Sequence, residues 1–335
     1  MPSAENAALY YEAGQSMVAM VELTDSGDRK VFNSADELWS DESGYSPDIK
    51  PNGVLTGLTV IPAAAGGNDN VDVLAGTLNL NGVVASVNAD TNVACARGLT
   101  TDVCRINSIT VNAAGAVAVV SGTDGTAFSE TRDAAGGPPL IPVDSVEIAQ
   151  VRFSSITAAV VLSTEIKSIP NTHREVAMFP TYETEFARVV DGIQGVAGIV
   201  FNSTLMANHT GAIAKAVHAQ YYTPEFAQIP KASDFKRAAN SKSVSSTQIY
   251  GGTVGAVASS LGQGGFKAYL NDGVTDAILM KEGKKMWFKF LPDRLKLPFV
   301  LTQGYLGVVE QYPAGASIMA ECTISAETEG SRVSG

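Results

Sequence analysis

Residues 286–335 constrain this chain more than any other stretch. They hold three runs rich in aromatic and β-branched residues, with turn formers between them. Trp287, Phe288 and Phe290 make the first run, closed by Leu291, Pro292 and Asp293. Residues 299–309 make the second. Tyr312, Pro313, Ala314 and Gly315 form a turn, and residues 318–325 make the third. Runs of this kind bounded by Pro, Gly and Asp predict an antiparallel meander. Nothing in it resembles a catalytic constellation.

The composition agrees with a β-rich chain. Of 335 residues 45% are hydrophobic and only 17% are charged, with 32 glycines. That mix favours strands and turns over helical bundles. The net charge of −11 is unevenly spread. Residues 1–165 hold 20 acidic and 7 basic residues, against 14 and 16 in residues 166–335. General nucleic-acid binding needs clustered Lys and Arg to neutralise phosphate, and the acidic balance argues against it. An acidic wall would instead repel DNA that slides past it. The first six residues lack the basic start of a secretory signal, and no apolar run reaches membrane-span length, so synthesis in a cytoplasm is expected.

Along the chain, residues 10–23 form the first strand candidate, with both faces fairly apolar from Met17 to Glu22. That pattern suits a strand covered on both sides. Residues 34–43 open a short acidic helix, with Ser34 as N-cap and Glu37 at capping-box spacing. Residues 54–163 change texture to short β-runs separated by Gly, Asn and Asp, including an alternating strand over 78–84 that ends near an Asn81-Gly82 turn signal. They predict a small additional β-domain over residues 53–165. The flanking parts are an amino-terminal arm with its first strand (1–52) and a second β-domain (166–335). Residues 195–205 predict a strand. Residues 208–221 predict a packed helix, capped by Asn208, with Ile213, Ala216 and Val217 on one face. Residues 245–257 and 265–270 predict strands around a Gly-rich turn at 259–264.

Candidate chemistry is sparse. His173, His209 and His218 are the three histidines, and their spacing suits neither a shared metal nor an acid–base pair. Cys95, Cys104 and Cys322 lack C-x-x-C spacing. Small semi-buried thiols are the preferred reading, with a Cys95–Cys104 disulfide as the alternative. Asp69 and Asp72 in a Gly/Asn-rich turn have the oxygen count for calcium but not an EF-hand's spacing. The glycines at 251–255 and 262–265 lack the Lys-Ser/Thr and helix of a P-loop. Asp36, Glu37, Asp41 and Glu42 form an acidic cluster. Lys231, Lys236, Arg237 and Lys242 form one basic stretch, and Lys284, Lys285 and Lys289 a second. Pairing of the two signs across a subunit boundary is expected. No catalytic residue, cofactor or metal is assigned.

The order of elements over about 170–330, and more faintly over 10–23, resembles the major tail tube protein of long-tailed, siphophage-type bacteriophages. The residues that carry the resemblance are GVAGIVFNSTL, NHTGAIAKAVHAQ, EFAQI and PFVLTQGYLGVVEQYPAGASIMAECTISAE. It implies a mainly β fold, a β-sandwich or half-barrel with one packed α-helix, and residues 53–165 as an outward-facing extra. It further implies stacked hexameric rings that form the tail tube of a virion assembled in a bacterial cytoplasm. Implied partners are other copies of the chain, a tape measure protein, tail terminator and distal tail proteins, and DNA in transit without specific binding. Ring closure would pair the meander's open edges. Glu12, Glu22, Glu310 and Glu321, on the expected tube strands, are candidates to face the lumen, with Val308 and Ile324 in the shared wall. The alternative from another class is a β-rich binding module, an adhesin or receptor-binding protein, carried by residues 53–165.

Overall fold

A computed structural model of the chain describes residues 5–34, 38–168, 182–190 and 193–333. It is mainly β. Among the described residues the only helical elements are two short 3-10 turns, Ser163–Glu165 and Leu279–Lys281. No helix there is long and apolar enough to cross a membrane.

The carboxy-terminal meander forms as its sequence predicts. Lys285–Leu291, Phe299–Gln311 and Met319–Ser325 pair antiparallel in succession. They are the centre of a nine-stranded sheet. Its order is Ala232–Lys236, Gly264–Tyr269, Met319–Ser325, Phe299–Gln311, Lys285–Leu291, Ala8–Glu22, Val217–Gln228, Asp48–Pro51, with Ser331–Val333 paired onto Phe299–Gln311. The sheet curls. Val217–Gln228 runs on into Ala232–Lys236, and the Ile229 N–H donates to the Leu9 carbonyl at 2.8 Å. The strand Ala232–Lys236, at the far end of the sheet, is thereby brought back beside the start of the first strand.

Strand alternation sends one face of this sheet inward. Leu9, Tyr11, Phe266, Met286, Phe288, Leu306, Cys322 and Ile324 fill the space the sheet encloses. A second core lies where the first strand and Val217–Gln228 meet the sheet containing Ile193–Phe201 and Val31–Asn33. It buries Phe32, Trp39, Ile199, Phe201, Val217 and Tyr221, with Trp39 stacked on Tyr221 at 4.7 Å. A third core draws its buried side chains from Val54 to Val161. It joins Arg105–Asn112, Ser145–Phe153 and Gly76–Leu80 with shorter strands.

Several expectations fail, each for a physical reason. The helix over 208–221 does not form. Gly211 (φ 80°) and Ala212 (φ 57°) make a turn, and Val217–Gln228 is a strand paired on both sides. Helix propensity distinguishes residues by a few tenths of a kcal/mol, about 0–0.7 each. Burying Val217 and Tyr221 is worth about 1.5–3 kcal/mol per large side chain, and the ladder realises it. No helix occurs over 38–43 either; the remainder of that expectation falls at 35–37, outside the described residues. The strand expected over 245–257 is instead two strands. Tyr250 and Gly251 (φ 90°) turn the chain between Ala239–Ile249 and Gly252–Gly262. The first strand is covered only in part: Ala8, Leu9, Tyr11 and Glu12 are buried, whereas Met17 and Val21 are exposed.

Candidate functional site

The structure brings the acidic cluster and the second basic stretch together within one chain. Residues 38–43 cross the main sheet where the first strand parts from Lys285–Leu291, whose mutual ladder ends at Tyr11 and Phe288. The next N–H, that of Trp287, donates to the Glu12 carboxylate at 3.0 Å. Gln15 Nε2 (2.9 Å) and the Ser40 hydroxyl donate to the same carboxylate. Glu12 is fully buried. Burial pushes its carboxyl above the ordinary value, and these three hydrogen bonds only partly offset that. Glu12 therefore faces no channel. It closes a fork in the sheet.

Gln15 also donates to Glu42 at 2.7 Å, and Glu42 binds Lys284 (2.9 Å) and Lys281 (3.3 Å). Burial would raise the Glu42 carboxyl, but the hydrogen bonds from Lys284 and Gln15 and the charge of Lys281 outweigh it and hold the carboxyl low. Lys285 pairs with Asp41 (2.5 Å) and Glu327 (2.9 Å). The pairing expected across a subunit boundary is thus met inside the chain for Asp41, Glu42, Lys284 and Lys285. Asp36 and Glu37 lie outside the described residues, as does His173.

The remaining candidates separate. Val308 and Ile324 are buried in the chain's own core, not in a wall open to a neighbour. Glu22, Glu310 and Glu321 are exposed, Glu310 and Glu321 on adjacent strands of the meander. Cys95, Cys104 and Cys322 are free and buried, and burial lifts the Cys95 and Cys322 thiols to about 12. Such thiols are poor nucleophiles. Asp69 is bound by Arg97 at 2.6 Å, and Asp72 accepts the Ala64 and Asn92 N–H groups, both at 2.9 Å. Both carboxylates tie loops down. Arg237 pairs with Glu329 at 2.7 Å.

One feature escaped the sequence reading. Ala239–Ile249 and Gly252–Gly262 pair with each other through eleven registered rows, from Ala239–Gly262 to Ile249–Gly252, and with no other described strand. At about 3.4 Å per residue the hairpin is roughly 37 Å long. It is exposed on both faces, Val244 to 73% and Val257, directly opposite, to 65%. Its 24 residues include one charge, Lys242. A free two-stranded ribbon is marginal in water, and an edge with so little charge invites pairing. The available signal was Gly251-Gly252 between two Ser/Thr/Val-rich runs, a hairpin pattern.

No protein-family model, curated protein or solved structure matches the chain.

Proposed function

We propose that the chain is a structural subunit that assembles with copies of itself into stacked rings, as a tail tube of the siphophage type. The observation that carries this reading is the long hairpin Ala239–Gly262. It leaves two rows of backbone donors and acceptors and two faces with a single charge, Lys242, without a partner in the monomer. A neighbouring copy that continued the ladder would satisfy them. The resemblance supplies six as the ring number, and tape measure protein, terminator, distal tail proteins and passing DNA as the partners. The exposed Glu22, Glu310 and Glu321 remain the candidates for surfaces that repel DNA.

Negative-stain microscopy and sedimentation of the purified chain test this. Rings or tubes are expected, alone or with a tail initiator complex. A Val244→Lys/Val257→Lys variant should remain a folded monomer, because neither side chain packs in the core. Tubes formed by that variant, or a wild-type chain that stays monomeric with the initiator present, would overturn the proposal.

A further inference from the structure

Both described histidines are buried, and each sits where residues 53–165 meet residues 207–218. His218 lies on Val217–Gln228, between Glu22 on one neighbouring strand and Lys50 on the other. The Asn81-Gly82 turn, between Gly76–Leu80 and Val83–Val87, rests on it. A Cβ at Gly82 would stand 3.3 Å from His218 Cδ2 and 3.0 Å from Met20 Cβ. Around this contact the Asn81 N–H donates to Asn52 Oδ1 at 2.8 Å, and Asn79 Nδ2 donates to the Pro51 carbonyl at 3.2 Å. His218 is 5% exposed, and its Nδ1 has no hydrogen-bond partner.

His209 marks the second contact. Ile141 and Asn208–Thr210 exchange backbone hydrogen bonds of 2.9 and 2.7 Å, and His209 Nε2 donates to the Ser145 carbonyl at 3.1 Å. His209 is 1% exposed.

We propose that these two contacts form a histidine seam that releases residues 53–165 from residues 207–218 in mildly acidic solution. An imidazolium has two N–H donors to satisfy and a charge to solvate, and a buried site cannot offer the charge the solvation of water. At His218 the charge would lie in a contact whose Nδ1 lacks an acceptor. Glu22 favours that charge, Lys50 is engaged by Asp48 at 2.6 Å, and the Asn81-Gly82 turn brings no charge of its own. At His209, Arg132 and Lys215 both oppose a further positive charge. Burial is the main cause that pushes both imidazoles below the ordinary value of 6.5, against the hydrogen bonds to Ser145 and Ile213 at His209 and against Glu22 at His218. The released state takes up protons at the ordinary value and the closed state resists them. The seam is therefore intact above about 6.5 and weakens as pH falls through the lower values of the closed state. At pH 5.5 the opening constant rises by at most about tenfold per histidine, and about a hundredfold for both.

Hydrogen exchange of the full chain at pH 7.5 and 5.5, corrected for intrinsic rates, reads this directly. Peptides over 48–52, 79–84, 139–145 and 207–218 should lose protection by up to about a hundredfold at pH 5.5. Those over 286–325 should hold theirs. A His209→Gln/His218→Leu variant keeps the seam uncharged and should lose the pH effect. If it does not fold, His218→Leu alone should retain about a tenfold effect. Unchanged protection in the wild type, an equal loss in the double variant, or a uniform loss that includes 286–325 would each overturn the seam.

Discussion

Glu12 shows how much one residue's role depends on its surroundings. On a strand of unknown depth it is one acid among many. In the fold it replaces a missing ladder partner for Trp287 and draws Ser40 and Gln15 to itself. Because burial raises its pKa, the folded chain binds that proton more tightly than the unfolded chain. Its contribution is thus an ionisation cost that grows as pH rises through the folded value. Glu12→Gln should flatten this slope between pH 4.5 and neutrality, measured as denaturant midpoints at several pH values. The amide nitrogen donates where one carboxyl oxygen accepts, so one of the three donors is left facing another donor and the variant should still be less stable at pH 4.5, by about 1–3 kcal/mol. Ile324, fully buried among Phe266, Leu306 and Cys322, makes a simpler test. Ile324→Ala should cost about 2–5 kcal/mol in chemical denaturation, as a loss of folding and not of assembly alone.

At the scale of elements, what fixes each strand is the partner it finds. Val217–Gln228 has helical composition at its start and a turn-forming Gly211 before it. It is a strand because Val217, Ala219 and Tyr221 alternate into one core while its backbone pairs with neighbours on both sides. The β-domain residues 105–153 have their own buried polar centre. Glu147 is fully buried and receives Ser108 Oγ (2.6 Å), Gln150 Nε2 (3.1 Å) and the Arg132 guanidinium, which also donates to the Pro139 carbonyl at 2.7 Å. The loop that carries Arg132 is thereby clamped to Ser145–Phe153. Arg132→Met leaves the Glu147 charge buried without its cation. A loss of about 3–5 kcal/mol is expected in thermal or denaturant unfolding. Glu147→Gln added to Arg132→Met should restore part of it, because the unpaired charge is gone.

Over the whole molecule, the hairpin Ala239–Gly262 stands apart from every buried hydrophobic cluster of the described residues. Its described side chains are exposed or partly so, which separates assembly from folding. A chain with residues 241–260 replaced by a short Gly-containing turn should melt within about 0.5 kcal/mol of the full chain, as surface changes do. Its sedimentation should be that of a monomer at concentrations where the intact chain forms rings. Loss of the main unfolding transition in that variant would show the hairpin to be part of the fold instead.

The sequence by itself determined what depends on near neighbours. The aromatic and β-branched runs of 285–325 with their Pro, Gly and Asp turns gave the meander, and the Asn81-Gly82 pair gave a turn with φ of 54° and 76°. The mainly β character followed from the abundant Gly, the low charge and the short apolar runs for the same reason: turn chemistry and period-two alternation act over a few residues. Only the tertiary structure decided that 208–221 is no helix, that Glu12 is buried and that Glu42 meets Lys281 and Lys284 some 240 positions away. It also decided that Val308 and Ile324 face inward while Val244 and Val257 face water. A Val reads the same in every strand. Which way it points, and whether a neighbour covers it, is set by a ladder whose partners lie far along the chain.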